Sequence, residues 1–253
     1  MSGPLGASQF MYSSGADNFY EYQIQKSIRI DRADQSYLQS PTLSSDNSKK
    51  FSASFWVKRS ELGLSSAGVV AGSSGGGSQL QFETDDTFRF SSHTSMDSDP
   101  RKFRDSTGWY HFFVKNGPNS GDGAIYVNGN QLTLSTNTFN SSSGFFQNGA
   151  TIQIGTSNNG TYTFDGFIAE VNVFYDQTKA HTDFGETKNG VWIPKEYSGS
   201  FGSSLDFQLK FLQDGTGTNS SGLGADTSGN DNHFSVHNMG SDHQTLQSPT
   251  FGS

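Results

Sequence analysis

The chain has 253 residues, a net charge of −8 and no cysteine, and phenylalanine, with 22 copies, is its most frequent large apolar residue. This length suits one large domain with its own core or two small ones. The missing cysteines exclude a disulfide framework and thiolate metal ligands, and the thinly spread acidity excludes a basic face for nucleic acid.

The first 22 residues mix aromatic side chains with Gly and Ser, and they lack the basic start and apolar run of a signal peptide. We assign residues 1–22 to an N-terminal arm that orders on a neighbouring protein. The alternatives to docking are a disordered terminus and an arm that folds back over its own sheet. The anchors of this arm are Phe10, Met11, Tyr12, Phe19 and Tyr20.

Residues 23–213 alternate apolar and polar side chains in short runs, which is typical of half-buried strands. Every second residue is apolar in "FSASFWVK" (51–58) and in "LDFQLKFL" (205–212). Helical spacing is almost absent, and turns rich in Gly, Ser and Asn separate the runs. We therefore predict an all-β fold with two packed antiparallel sheets, a sandwich or jelly roll. Shorter runs are "SIRID", "QLQF", "TFRF", "WYHFFVK", "AIYV" and "TIQI".

A tight hairpin is predicted within "AIYVNGNQLTL". Asn128 and Gly129 both tolerate the positive φ angles that a two-residue turn between twisted strands requires. The segments "AIYV" and "QLTL" are then expected in adjacent antiparallel strands.

The stretch "FDGFIAEVNVFYD" (164–176) carries Glu170 and Asn172 in an otherwise apolar strand. Strict alternation places Phe167, Ala169 and Val171 on one face and Glu170 with Asn172 on the other. That second face is then open to solvent, part of a binding groove, or covered by a partner. Periodicity does not separate these three cases.

Residues 214–253 are rich in Gly, Asn and Ser and form a predicted C-terminal extension. Within it, "GADTSGNDNH" offers hard oxygen donors to a calcium ion. An Asx-turn loop explains the same letters and is the favoured interpretation, so no cofactor is assigned beyond this calcium candidate. The candidate ligands are Asp226, Ser228, Asn230 and Asp231.

The succession of "FSASFWVKRS", "GWYHFFVKNG", "AIYVNG", "IQIGT" and "FDGFIAEVNVFYD" resembles the concanavalin A-like, laminin G-type jelly roll. The resemblance covers roughly residues 24–176. It implies that residues 23–213 form this jelly roll, with an extended arm at each end. Members of the family include lectins and glycosidases.

The flanking segments resemble those around this jelly roll in virion proteins of tailed, especially marine, bacteriophages. They include "IRIDRADQSYLQSP", "DFGETKNGVWIPKEYSGSFG" and the C-terminal 40 residues. The resemblance implies a non-enzymatic structural component, on the capsid surface as a decoration or attached to the tail or its fibres. Its partners would be other virion proteins and copies of itself, and its location the virion, after synthesis in the host cytoplasm. No stretch is long and apolar enough to imply a membrane partner.

Glycosidases of this fold resemble one another in a strand motif Glu-x-Asp-x-x-Glu, whose outer carboxylates act as nucleophile and acid. The matching positions here are Glu170, Asn172 and Tyr175. Asn172 does not ionise and the second carboxylate is missing, so we expect no enzyme activity. Glu170 is interpreted as a structural hydrogen-bonding residue.

The alternative function is a lectin-like module for glycans of a host surface. Sugar rings stack on exposed aromatic side chains while polar groups hold their hydroxyls. Burial in an aromatic core competes with this role at each position. The candidate glycan-binding residues are Trp56, Tyr126, Tyr162 and Trp192.

Overall fold

Almost all regular structure in the computed structural model is β-strand. The structure describes residues 19–45, 48–73, 78–91, 94–98, 101–139 and 146–251. Within these ranges the helical residues are confined to two short 3-10 turns, His181–Asp183 and Ser241–His243, and no helix is long and apolar enough to cross a membrane. The prediction of an all-β sandwich is confirmed.

The first layer, called the front sheet, has the long strands β3 (Phe51–Arg59) and β15 (Gly166–Tyr175) at its centre. Strand β15 pairs with β3 along one side. Along the other side it pairs with β1 (Ser27–Ile30) and then with β18 (Phe207–Leu209), always antiparallel. In spatial order the front sheet comprises β10 (Asn130–Gln131), β9 (Ala124–Val127), β8 (Tyr110–Asn116), β3 (Phe51–Arg59), β15 (Gly166–Tyr175), β1 (Ser27–Ile30) and β20 (Gln244–Thr245), with β18 (Phe207–Leu209) beside β15.

The second layer, the back sheet, is also antiparallel except for one contact between β14 (Tyr162–Thr163) and β4 (Ala67–Ser73). In spatial order it comprises β11 (Leu134–Phe139), β7 (Thr94–Ser98), β6 (Phe88–Ser91), β5 (Gln79–Phe82), β4 (Ala67–Ser73), β12 (Thr151–Ile154), β2 (Tyr37–Gln39) and β19 (Ser235–His237), with β13 (Thr156–Ser157) and β14 (Tyr162–Thr163) attached. A separate hairpin, β16 (Gly185–Lys188) and β17 (Val191–Pro194), packs outside the front sheet.

Phenylalanine rings fill the space between the two sheets. The ring centroids of Phe88 and Phe112, which come from opposite layers, are 4.1 Å apart, and the Phe82 ring contacts both rings. The loop residue Phe103 adds its ring to this group. Aromatic side chains bury more apolar area per residue than aliphatic ones, so a chain with few Leu, Ile and Val still builds a sealed core.

A buried ion pair closes one end of this core. The guanidinium of Arg59, only 1% exposed, lies 4.4 Å from the Phe82 ring centroid and 3.0 Å from Asp86. Burial would raise the pKa of Asp86, but hydrogen bonds from the Gly63 amide, Arg104 and Arg59 outweigh it and keep that pKa low. The carboxylate is therefore ionised and fully paired.

The predicted hairpin at Asn128 and Gly129 is confirmed. Their φ angles are +47° and +77°, and Gln131 pairs with Tyr126 in antiparallel register. The segment "QLTL" differs from the prediction, because β10 ends at Gln131 and β11, which begins at Leu134, belongs to the back sheet. The chain thus changes sheets directly after the hairpin.

The face assignment of "FDGFIAEVNVFYD" was wrong over its first half. A β-bulge lies between Ala169 and Asn172, with Glu170 at φ +45°. The extra residue moves Ile168 into the core beside Val171, while Ala169 and Asn172 share the outer face. A bulge adds one residue to one strand only, so strict alternation does not continue through it.

Both ends of the described chain pack on the sandwich. Strand β19 extends the back sheet and β20 the front sheet, so residues 214–251 are part of both layers. At the other end, Ile24 and Tyr22 pack on the outer face of the front sheet. Of the predicted arm anchors, Phe10, Met11 and Tyr12 lie outside the described residues.

Candidate functional site

A cleft of about 720 Å³ opens on the outer face of the front sheet. Segments that are far apart in the chain meet there: β3, residues 107–109 before β8, the β9–β10 turn, the β16–β17 hairpin, Tyr20 and residues 248–251. Trp56 of β3 is its most buried aromatic residue at 5% exposure, and Phe251 is 42% exposed. The aromatic lining consists of Tyr20, Trp56, Trp109, Trp192 and Phe251.

Two glycines make room for the indole of Trp192. A Cβ on Gly129 would lie 2.3 Å from Cε3 of the indole, and a Cβ on Gly185 would lie 2.5 Å from Cε2. The ring is therefore held between the β9–β10 turn and strand β16. This packing fixes the Trp192 side of the cleft before any ligand arrives.

Hydrogen bonds continue this support into the sheet. The indole N–H of Trp192 donates to Nδ1 of His111 across 3.0 Å, and Nε2 of His111 lies 2.9 Å from Oγ of Ser54. An indole N–H only donates, so Nδ1 is unprotonated and Nε2–H donates to Ser54. Burial lowers the pKa of His111 to about 3, so the ring stays neutral.

The pair of Ser54 and His111 is consequently structural. A serine nucleophile needs an imidazole nitrogen that accepts its proton. Here the nitrogen beside Ser54 Oγ already carries a proton, and the other nitrogen is blocked by Trp192.

The polar part of the cleft consists of amides and hydroxyls. Asn128 Oδ1 accepts from the His111 amide at 2.7 Å, and Asn130 Nδ2 donates to the Asn128 carbonyl at 3.0 Å. The Asn128 NH₂ group and the Asn130 Oδ1 have no hydrogen-bond partner among the described residues, so one donor and one acceptor remain for a ligand. The polar lining residues are Thr107, Asn128, Asn130, Ser248 and Thr250.

Residues 19–24 and 248–251, the two ends of the described chain, form one border of the cleft together. Thr250 Oγ1 donates to the Ile24 carbonyl at 3.0 Å, which ties the C-terminal turn to the segment that follows Tyr20. Ser248 and Phe251 exchange backbone hydrogen bonds that close this turn. Phe19 and Tyr20 meet edge to face at 5.0 Å.

Glu170 lies on the same face of the sheet but outside the cleft. It is 5% exposed and accepts a hydrogen bond of 2.8 Å from the Tyr22 hydroxyl. Burial raises the pKa of its carboxyl to about 7, and burial beside Glu170 raises the pKa of Tyr22. The carboxyl is thus a buried partner of the N-terminal segment and does not line the cleft.

The positions that correspond to the glycosidase motif do not converge on a substrate. Asn172 Oδ1 accepts a hydrogen bond from Nε2 of the Gln208 side chain at 2.8 Å. Tyr175 belongs to the core between the sheets. Only Glu170 carries a carboxyl group among the three.

The structure brings together two of the four candidate glycan-binding residues. Trp56 and Trp192 line the cleft, and His111 lies between them, with ring centroids at 4.8 and 5.9 Å. Tyr126 instead stacks on His181 at 4.2 Å. Tyr162, 39% exposed, belongs to the back sheet.

The calcium candidates form an Asx-type loop around Asp226. Its carboxylate accepts from the amides of Gln208, Ser228 and Asn232 and from the Ser228 hydroxyl. Asn230 donates to backbone carbonyls of Ser203 and Asp206, while the exposed Asp231 turns toward His233. Asp226 therefore uses its oxygens on the protein's own donors, and no group of three or more His, Cys, Asp or Glu within the described ranges has metal-binding geometry.

Sequence reasoning missed Trp109, Asn128, Asn130 and Phe251 as cleft residues, and assigned Tyr20 to an arm. The hairpin prediction at Asn128 was a usable signal, because a tight turn projects its side chains at a sheet edge. Nothing local marks Phe251, which reaches the cleft only because residues 244–251 return to the front sheet.

Three solved structures that are similar to this chain have 14–19% sequence identity to it over the matched residues. A putative carbohydrate-binding protein from Bacteroides ovatus has 16% identity and a TM-score of 0.46, over 60% of this chain and 44% of that one. A heptameric SAP-like pentraxin from Limulus polyphemus has 14% identity and a TM-score of 0.46, over 63% and 80%. Domain 4 of an extracellular GH43 arabinanase from Geobacillus stearothermophilus has 19% identity and a TM-score of 0.38, over 53% and 63%.

The chain thus spans less than half of the Bacteroides protein. No curated protein sequence matches it. A family model does match, over residues 32–182, which include most strands of both sheets and the tryptophans Trp56 and Trp109. On this evidence the chain belongs to the concanavalin A-like lectin/glucanase superfamily, through its laminin G-type domain.

Proposed function

We propose that this protein binds carbohydrate, without hydrolysing it, in the cleft on the outer face of the front sheet. The observation that carries the proposal is the composition of the cleft, which combines five aromatic residues with amide and hydroxyl groups. Sugar rings have apolar C–H faces and polar edges, so they match this combination. Membership of a family that includes lectins agrees with it.

The dimensions and rigidity of the cleft also suit a saccharide. Its volume of about 720 Å³ lies in the upper part of the ~300–1,000 Å³ range of small-molecule sites, which leaves room for more than one sugar ring. The Trp192 ring is held by Gly129, Gly185 and His111. A preformed aromatic wall reduces the ordering cost of binding.

The absence of hydrolysis is part of the proposal. Retaining and inverting glycosidases both need two carboxyl groups on either side of the bond that breaks. The described lining of the cleft contains no carboxyl group, and Glu170 lies buried beneath Tyr22 instead. Ser54 and His111 are unsuited to nucleophilic catalysis because the His111 tautomer has its proton on Nε2, beside the Ser54 hydroxyl.

A glycan array with the full chain tests this proposal, followed by titration calorimetry on the selected glycans. Phe251→Ala removes an exposed aromatic ring from the cleft, and Tyr162→Ala removes one of similar exposure from the back sheet. We expect at least about tenfold weaker binding for Phe251→Ala, equivalent to ~1.4 kcal/mol. Tyr162→Ala should bind as the wild type does.

Two results would contradict the proposal. One is an array on which the folded wild-type protein selects no glycan. The other is equal loss of binding in both variants, which would place the binding surface elsewhere. Release of reducing sugar from a bound glycan would refute the non-hydrolytic part alone.

A role as a virion component is a second proposal, based on the flanking resemblance. The observation that favours it is the exposure of two apolar side chains outside the cleft, Phe19 and Leu246, which suit contact with another protein. The two roles are compatible, since a subunit of a particle can present a glycan-binding cleft. A particle map that contains no density for this fold would remove the virion proposal.

The predicted docking of the N-terminal arm belongs to this second proposal. Because Tyr22 covers the buried Glu170, a deletion that tests docking should stop at residue 18. A variant without residues 1–18 that still folds and fails to enter particles supports docking through Phe10, Met11 and Tyr12. Normal incorporation of that variant would contradict it.

A further inference from the structure

We infer that the cleft selects neutral saccharides and discriminates against sialylated, sulfated and uronic-acid glycans; this inference rests on the proposed function. It follows from the charges and hydrogen-bonding groups of the cleft. Among the described residues that line it, none carries a formal charge. A bound carboxylate or sulfate would therefore lose water without gaining a cationic partner.

Two cations near the border of the cleft already interact with carboxylates. Nζ of Lys188 lies 3.2 Å from Oε1 of Glu21. Lys188 comes two residues before Gly190 and Glu21 directly follows Tyr20, and both Gly190 and Tyr20 line the cleft. The pKa of Asp105 is lowered mainly by hydrogen bonds from Thr107, and less by one from Gly108 and by the charge of Lys58, two residues after Trp56 on β3. An anionic ligand would have to compete with these carboxylates.

Asp105 also places negative charge directly at the border. Its Oδ2 is 2.8 Å from the position that a Cβ on Gly108 would take, and Gly108 lines the cleft. Its Oδ1 accepts from the amides of Thr107 and Gly108 and from the Thr107 hydroxyl. The carboxylate is thus held in place, where it repels an acidic sugar.

The uncommitted polar groups match hydroxyls. The Asn128 NH₂ donates and the Asn130 Oδ1 accepts. A sugar hydroxyl does both at once, whereas a carboxylate only accepts and would be left facing the Asn130 oxygen. A hydroxyl placed between the two amides therefore satisfies both, whereas a carboxylate or sulfate in the same position satisfies only the Asn128 donor.

The test compares matched glycans on the full wild-type chain by calorimetry. Neutral oligosaccharides of glucose, galactose, mannose and xylose are each measured against a uronic-acid, sulfated or sialylated counterpart. We expect the acidic member of each bound pair to bind at least about tenfold more weakly. Acidic glycans that bind as tightly as neutral ones would overturn the inference and leave the proposed function standing. A protein that binds neither class would overturn the proposed function itself.

A charge substitution sharpens the test. Asn130 is exposed, so Asn130→Lys should fold, and the added cation should strengthen binding of the acidic counterparts at least about tenfold. Thr218→Lys adds the same charge on an exposed loop that does not line the cleft. It should leave the affinities for neutral and acidic glycans unchanged. An Asn130→Lys protein with unaltered preference would contradict the assignment of Asn130 to the ligand.

Discussion

The indole N–H of Trp192 donates a hydrogen bond to Nδ1 of the buried His111 across 3.0 Å. Trp192 belongs to the β16–β17 hairpin and His111 to strand β8 of the front sheet, so the bond joins a peripheral element to the sandwich. It also sets the tautomer of His111 and thereby the donor to Ser54. The wall of the cleft and the interior of the sheet are supported by the same bond.

The first prediction concerns this hydrogen bond. Trp192→Phe keeps an aromatic ring but leaves Nδ1 of His111 without a donor, so we expect a loss of about 1–3 kcal/mol in the free energy of unfolding. Trp109→Phe is the control, because the Trp109 indole nitrogen has no partner among the described residues. Urea denaturation measures both variants. Equal losses would show that the bond contributes little.

A second prediction concerns the space reserved for Trp192. Gly129→Ala should destabilise the fold, because φ is +77° and the new Cβ would lie 2.3 Å from the indole. Gly149→Ala has nearly the same φ, +78°, with no heavy atom within 4 Å of the added Cβ. The Gly149→Ala variant therefore measures the cost of backbone strain alone, which is about 1 kcal/mol in the free energy of unfolding. We expect a lower melting temperature for Gly129→Ala than for Gly149→Ala, and the opposite order would refute the steric argument.

The third prediction is a pH dependence from Glu170. Burial raises the pKa of its carboxyl from 4.5 to about 7, so between these values the folded state holds a proton that the unfolded chain has released. Stability from this group is complete below pH 4.5 and is lost as the pH rises through 7. At ~1.4 kcal/mol per pKa unit the loss is about 3 kcal/mol.

Glu170→Gln should remove this dependence. Its free energy of unfolding, measured by urea denaturation from pH 4 to 8, should fall less with rising pH than that of the wild type. Glu61→Gln, at an exposed position, should retain the wild-type slope. Parallel curves for Glu170→Gln and the wild type would show that the carboxyl is not buried in solution.

A fourth prediction addresses the ion pair at the end of the core. Asp86→Asn leaves the Arg59 guanidinium buried without its counter-charge, which costs about 3–5 kcal/mol in the free energy of unfolding. Asp85→Asn changes the exposed neighbouring carboxylate, which accepts hydrogen bonds from Thr87, and should cost about 1 kcal/mol or less. Thermal unfolding of the two variants compares them directly. A similar small loss in both would mean that water reaches Arg59.

The amino-acid sequence by itself determined the fold class and most of the strands. Alternation in "FSASFWVK" predicted a strand with one apolar face, because in a sheet the side chain of every second residue points to the same face; the four residues of that face, Phe51, Ala53, Phe55 and Val57, lie in the core. The Asn128–Gly129 turn was equally local, since it depends on two residues that tolerate positive φ. Both signals depend only on a few residues that are neighbours in the chain, so the sequence alone is enough to detect them.

Only the tertiary structure decided the bulge at Glu170 and the composition of the cleft. The bulge depends on how β15 pairs with β3, and one extra residue reverses the alternation on which the sequence prediction relied. The cleft joins Tyr20, Trp56, Trp192 and Phe251, whose proximity follows from strand order and from the return of the C-terminal segment to the front sheet. Local patterns specify which face a residue occupies, but packing between distant segments specifies which residues meet there.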